Sequence, residues 1–277
     1  MTERTLQLDP DSRRLLETIA RAADEAGVSW MITGAMARHL VFERLYGLRP
    51  GRFTRDWDIG IEVASWEGFQ SLEAILVEGY EFQADRHQRQ RLTDPHGSIV
   101  DLIPFGGVES EPGVIRWGEE RAVRLNVSGF REAYKASLGI TLDTGLTAKV
   151  ASPPGLAILK VIAWQDRHRL HDRDAEDLAY LLENYARLVA GNLHDDYLDW
   201  MEEADYDEDA VGARVLGHKA ATVAGTSLSE ELRGVLDAGL RQGEDSRLVR
   251  ALEKYMKGKD TERGRALLRA FRTGLAD

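Results

Sequence analysis

Apolar residues recur along the chain with two periods, and the switches between them divide it into elements. Leu15, Leu16, Ile19, Ala20 and Ala23 fall at helical spacing within 12–26, and Gly27 follows as a C-cap. The run 28–32 is short, apolar and rich in β-formers. Thr33-Gly34 interrupts it and 35–46 returns to a helical pattern, so the stretch reads as strand, tight turn, helix. Alternation marks 53–61, Phe-Thr-Arg-Asp-Trp-Asp-Ile-Gly-Ile, and predicts a strand with Trp57, Ile59 and Ile61 turned to the core. A helix over 65–79 follows, with Phe69, Leu72, Ile75 and Leu76 on one side. Weak alternation over 80–91 then leads to a turn at 94–97 and an apolar strand over 98–105. The region 106–146 mixes strand-like pieces at 122–127 and 140–142 with glycine turns. Ser152-Pro153-Pro154 opens a helix expected to run unbroken from 154 to 185. Beyond 191 the pattern predicts a solvated acidic segment (195–208), an Ala-rich helix (210–224) and two or three further helices within 228–275.

Several polar residues stand out against this pattern. Asp56 and Asp58, at i and i+2, share the strand face opposite Trp57. Close carboxylates push one another towards protonation unless a cation neutralises them, and oxygen-only ligands suit Mg²⁺ or Mn²⁺. A solvated strand edge would look the same in sequence. Asp101 lies inside the apolar run 98–105, where a carboxylate is unfavourable unless paired or bound to a cation, which marks it as a candidate catalytic or ligand residue. The turn at Gly34 feeds a helix N-terminus, whose free amides and dipole suit phosphate, although a routine strand-to-helix turn reads alike. Arg49, Arg52 and Arg55 occupy the irregular loop 47–55 and can meet phosphate or stay solvated. On the expected helix 154–185, Lys160, Trp164, Arg167, His171 and Asp174 form one lengthwise stripe with Asp177 near its edge. Ile158, Leu159, Val161, Ile162 and Leu170 cover the other faces, so the stripe is either functional or a solvated face laced with salt bridges.

Composition narrows the classes. The 277 residues allow two modest domains, and the net charge of -11 argues against a generally basic nucleic-acid surface while leaving room for a local patch of Arg38, Arg49, Arg52 and Arg55. The absence of cysteine excludes disulfides and thiolate metal sites. The seven histidines lack zinc-site spacing, and no GxSxG, Walker or GxGxxG motif is present. No apolar run approaches the ~20 residues of a membrane span, and the polar start is no signal peptide, so a cytoplasmic protein is expected.

Three acids on two expected neighbouring strands, with a glycine turn just upstream, together suggest phosphoryl or nucleotidyl transfer. The order Thr33-Gly34-Ala35, Thr54-Arg55-Asp56-Trp57-Asp58, Val100-Asp101-Leu102 resembles the DNA polymerase β-type nucleotidyltransferase superfamily. The later run 156–167 (Leu-Ala-Ile-Leu-Lys-Val-Ile-Ala-Trp-Gln-Asp-Arg), followed by Arg173-Asp174-Ala175-Glu176-Asp177-Leu178, is similar to its AbiEii-type group, which includes toxins of abortive-infection and toxin–antitoxin systems. The similarity spans 28–185.

The resemblance implies an α+β fold, in which a small mixed β-sheet core with flanking helices (1–150) precedes a helical C-terminal domain (151–277) that closes the nucleotide site. It implies Mg²⁺ or Mn²⁺ on Asp56, Asp58 and Asp101, with Asp101 helping to activate the acceptor. Thr33, Gly34, Ala35, Arg55, Lys160 and Arg167 would bind nucleotide, Lys160 at the triphosphate, while Asp174 and Asp177 order their helix face or assist the reaction. The family's turn usually reads Gly-Gly or Gly-Ser. Ala35 stands here, so a hydroxyl contact is absent and the backbone N–H is kept. The implied activity moves a nucleoside monophosphate from NTP to a tRNA 3′ end, a protein hydroxyl or a small hydroxylated compound such as an aminoglycoside, and an antitoxin is the implied protein partner. A second class fits the same residues: a non-catalytic module of this fold whose acidic C-terminal half docks a basic antitoxin or regulator.

Overall fold

The alternation around Asp56 becomes β2 (Asp56–Val63), the middle strand of a seven-stranded mixed sheet in the computed structural model, which describes residues 5–52, 54–117, 123–143, 145–256 and 261–277. Phe53 and Ala122, the first residues of two expected strands, lie outside these. β2 is flanked by β1 (Ser29–Thr33), antiparallel to it, and β5 (Ile99–Gly106), parallel to it. The sheet extends beyond β5 through β4 (Arg91–Thr93) to β3 (Gln83–Ala84), and beyond β1 through β10 (Thr147–Val150) to β9 (Leu138–Thr141). Along β2, Trp57, Ile59, Ile61 and Val63 are buried while Asp56 and Asp58 stay half-buried, as period-two alternation requires.

The chain divides into two compact units, Met1–Leu45 with Phe53–Ser152 and Tyr46–Arg52 with Pro153–Asp277. In the first, α1 (Pro10–Ala26) starts where the Asp9 side chain accepts from the backbone N–H groups of Asp11 and Ser12, and it ends at left-handed Gly27. It packs on β1 and on α3 (Trp66–Ala74). The helices expected over 35–46 and 65–79 each change character midway: α2 (Gly34–Arg38) widens into a π turn at His39–Leu45, and α3 into one at Ile75–Gly79. In the first case the i→i+5 spacing of a π turn brings Glu43 to Arg38, 3.1 Å away and buried with it, while His39 Nδ1 lies 2.6 Å from the other Glu43 oxygen. A three-stranded antiparallel sheet, β6 (Glu109–Glu111), β7 (Val114–Trp117) and β8 (Val123–Asn126), is tied to α3 through Trp117 and Phe69, whose rings lie 5.1 Å apart. α4 (Phe130–Lys135) contacts β2 and β5.

The second unit is helical: α5 (Pro153–Arg167), α6 (Arg173–Asp196), α7 (Leu198–Glu203), α8 (Glu208–Arg241), α9 (Arg247–Tyr255) and α10 (Thr261–Gly274). α7 lies inside the segment expected to be acidic and solvated. α8 continues past the expected end of the Ala-rich helix, kinking at Gly225 (φ 70°). Where α8 and α10 cross, a Cβ on Gly217 would stand 2.1 Å from Phe271 O and one on Gly274 1.9 Å from Arg214 O, so the backbones can approach only because both positions are glycine.

The expected helix 154–185 is two helices. α5 ends where the His168 ring bonds to the carbonyl of Trp164 at 3.0 Å, and α6 restarts after Asp172 with Asp174 and Glu176 in its first turn, where carboxylates suit the helix dipole. Leu170, expected on an apolar face, lies in this break and is 82% exposed. No described helix is long and apolar enough to cross a membrane.

Candidate active site

In the first unit, β1 and β2 pair with Thr33 opposite Asp58, which brings the turn at the end of β1 against the Asp58 carboxylate. Gly34 has φ +65°, and a Cβ there would stand 1.9 Å from Asp58 Oδ2. Glycine is required twice over, by backbone conformation and by the carboxylate that fills the space of its missing side chain. Thr33 and Ala35 on either side are buried.

Asp101 lies in β5 directly beside Asp58 in the parallel ladder, and Arg91 in β4 faces Asp101 in the antiparallel one, so the three form a row across β4, β5 and β2. Arg91 Nε donates to Asp101 Oδ1 at 2.8 Å and Nη2 to Oδ2 at 2.7 Å, and the same Nη2 lies 3.5 Å from Asp56 Oδ2. The hydrogen bonds to Asp101 hold the guanidinium pKa above its ordinary value, against an opposing push from burial. This pairing answers the difficulty of a carboxylate in an apolar strand. Arg91 ends the weakly alternating stretch 80–91 and carries no motif. Folding the chain back about the turn at 94–97 would have set it opposite Asp101, an opposite-charge cross-strand pair.

The second unit holds the other charged constellation. A continuous helix would separate residues 160 and 174 by ~21 Å, but the break between α5 and α6 brings them together. Lys160 Nζ lies 3.1 Å from Asp174 Oδ1 and 2.7 Å from Asp177 Oδ2. Arg167 grips Asp174 with Nε and Nη2 at 2.7 and 2.9 Å, and Arg52 grips Asp177 with Nε and Nη2 at 3.0 Å each. The Tyr180 hydroxyl donates to the Arg49 carbonyl, which fastens the segment of Arg52 along α6. Burial pushes the Lys160 pKa down, but Asp177 and Asp174 outweigh it and raise it overall. Burial pushes Asp174 up, and Lys160 with Arg167 reverses this, leaving its carboxyl well below the usual range.

Of the four arginines expected to form a local basic patch, Arg38 is buried and paired with Glu43, and Arg52 is engaged by Asp177. This corrects that expectation, while Arg49 and Arg55 are exposed. Asp56 and Asp58 present oxygen donors on one strand face against a glycine turn, a donor set that fits one hard divalent cation such as Mg²⁺ or Mn²⁺. Among the described residues no three acidic or histidine side chains converge to hold a metal ion.

Solved structures similar to the chain include the antibiotic-resistance factor ANT(2'')-Ia in solution, at 14% identity with 72% of this chain and 97% of that chain covered and a TM-score of 0.41. The same factor in complex with adenylyl-2''-tobramycin matches at 15% identity, 69% and 94% coverage and a TM-score of 0.38. A tRNA-processing enzyme in an apo form matches at 13% identity, 99% and 92% coverage and a TM-score of 0.29. No curated protein matches the sequence. The model of the nucleotidyl transferase AbiEii toxins of type IV toxin–antitoxin systems matches residues 14–276, and the chain therefore belongs to that family.

Proposed function

We propose that the protein transfers a nucleoside monophosphate from an NTP to an acceptor hydroxyl, using Mg²⁺ or Mn²⁺ held by Asp56 and Asp58. The observation that carries this reading is the Asp58 carboxylate lodged against the Gly34 turn, with Asp56 on the same strand face. When bound, the cation would neutralise charge on the triphosphate and on the departing pyrophosphate. The backbone N–H groups at Gly34 and Ala35 receive phosphate oxygens, and exposed Arg55, next to Asp56, fits a further phosphate contact. Asp101, oriented by Arg91, takes the proton of the acceptor hydroxyl as its oxygen attacks the α-phosphorus. For Lys160 and Arg167, a phosphate contact competes with the carboxylates they already hold, and Asp174 and Asp177 act by ordering them.

The acceptor classes separate by charge. Acceptor affinity falling steeply with salt would mark a tRNA 3′ end. A flat response would mark a protein or a small hydroxylated acceptor. Membership of a toxin family makes an antitoxin the expected partner, and the net charge of -11 suits a basic one.

The test is calorimetric titration of the four NTPs with Mg²⁺ or Mn²⁺ into the wild-type protein and into the Asp56→Ala/Asp58→Ala double variant. Metal-dependent binding that the double variant loses is the expected result. Absence of binding to the wild type at millimolar NTP would overturn the reading in favour of a non-catalytic module that docks a protein partner.

A further inference from the structure

We infer that Arg91 takes the place of a second divalent cation, so that this site works with a single metal ion on Asp56 and Asp58. The inference rests on the nucleotidyltransferase reading and adds to it the number of ions and the residue that sets that number. Both Asp101 oxygens accept from Arg91, at 2.8 and 2.7 Å, in the planar two-point geometry that guanidinium and carboxylate share. The grip comes from the sheet and not from a stray loop charge. Arg91 is the cross-strand partner of Asp101 in one ladder, and Asp101 is the in-register neighbour of Asp58 in the next.

The same guanidinium leans on Asp56 at 3.5 Å, so a single positive group spans two of the three carboxylates. The pair is largely withdrawn from water, with 22% of the Arg91 side chain and 14% of the Asp101 side chain exposed. An arginine at this position stays protonated at any pH at which the fold survives. With both Asp101 oxygens accepting from Arg91, the position at which Asp101 would share a second ion is taken by the guanidinium, and the ion is placed on the strand pair Asp56 and Asp58.

The chemical step then needs no second ion at the acceptor. The acceptor O–H proton passes to Asp101, the acceptor oxygen forms its bond to the α-phosphorus, and the bond from that phosphorus to the bridging oxygen breaks, with its electron pair leaving on pyrophosphate. Arg91 acts as a positioning residue. It fixes the orientation of the Asp101 carboxylate through both oxygens.

The test counts protein-bound Mn²⁺ by electron paramagnetic resonance in equilibrium dialysis of the full chain. The dialysis includes the non-transferable α,β-methylene analogue of whichever NTP binds in the titration above. The expected counts are one ion per chain for the wild type, two for Arg91→Gln and one for Arg91→Lys, which keeps the charge. Two ions on the wild type, with nucleotide bound, overturn the inference whatever the variants do, so it stays falsifiable if Arg91→Gln fails to fold. One ion on both wild type and a folded Arg91→Gln also overturns it, by removing Arg91 as the cause. Absence of bound nucleotide and ion from every protein is the distinct signature of a failed nucleotidyltransferase reading, and the inference falls with it.

Discussion

Two charged constellations, one in each unit, are built from the same residue types and differ in how far they are neutralised and hidden. In the helical unit, Lys160 and Arg167 on α5 and Arg52 from the segment Tyr46–Arg52 surround Asp174 and Asp177 on α6, whose side chains are 2% and 1% exposed. On the sheet, Arg91 pairs with Asp101 and leans on Asp56, with Asp58 next in the row, and the Asp56 side chain is 37% exposed. A buried network whose carboxylates are each held by two cations has little left to offer a ligand, and its members are held chiefly by one another. A half-open cluster with excess negative charge has a standing demand for a cation. The contrast predicts opposite responses to mutation: the helical network should govern stability and the sheet cluster should govern binding.

The largest effect is expected from Lys160→Met, which removes the buried ammonium bridging Asp174 and Asp177 and leaves each carboxylate with one arginine, and which should lower unfolding free energy by about 3 kcal/mol in denaturant titration. A neutral result would break the comparison, because it would make the network dispensable. Gly34→Ala sets a Cβ on the Asp58 carboxylate and forces a non-glycine residue to positive φ. A loss of about 1–2 kcal/mol is expected from the backbone alone, together with loss of Mn²⁺ binding as Asp58 turns away.

Acid should attack the helical network through Asp174. Its folded pKa is depressed, so the ionised form contributes stability that is complete above ~4 and is lost as pH falls through the depressed value. The unfolding midpoint should drop steeply below pH ~4 in the wild type and more gently in Asp174→Asn.

Asp56→Asn sharpens the other side. It removes a half-exposed charge from a repelling cluster, so stability should change by no more than about 0.5 kcal/mol while calorimetric NTP binding disappears. The smallest effect is expected at Glu73 on α3, outside both clusters, where burial raises the carboxyl pKa to about 7 against the opposing charge of Arg89. The folded state holds that proton more tightly than the unfolded chain, so stability declines as pH rises from 4.5 to about 7. Glu73→Gln should therefore raise the melting temperature slightly at pH 8 and leave it unchanged at pH 4.

Much of the first unit was legible because period-two alternation reports burial directly. Trp57, Ile59 and Ile61 against Asp56 and Asp58 give both the strand and its faces. Thr33-Gly34-Ala35 gave the turn, but the reason for its glycine, the Asp58 carboxylate, is a cross-strand contact that periodicity does not encode. Arg91 was hidden for the same cause, since its role depends on hairpin register. The break between α5 and α6 was illegible because residues 168–172, His-Arg-Leu-His-Asp, contain no glycine or proline, and the helical period of Lys160, Trp164, Arg167, His171 and Asp174 runs straight through it. Reading that stripe as one helix face mistook a pair of facing helices for a single long one. The strands β7 and β10, four residues each, were too short to carry a periodic signal.

The grip of Arg52 on Asp177 joins residues 125 positions apart in sequence. Closing so long a loop takes only ~0.6 kcal/mol more entropy than closing one of half the length, but the delay is substantial. At a synthesis rate of ~5–20 residues per second, Asp177 is made roughly 6 to 25 s after Arg52. The segment Tyr46–Arg52 must wait for its partners on α6 while the rest of the first unit's chain is made. The second unit is thus a discontinuous folding unit, finished by a piece of chain made before its own first helix. A fragment beginning at residue 153 would bury Asp177 without Arg52, so cutting the chain between the units should yield a C-terminal half that folds poorly on its own.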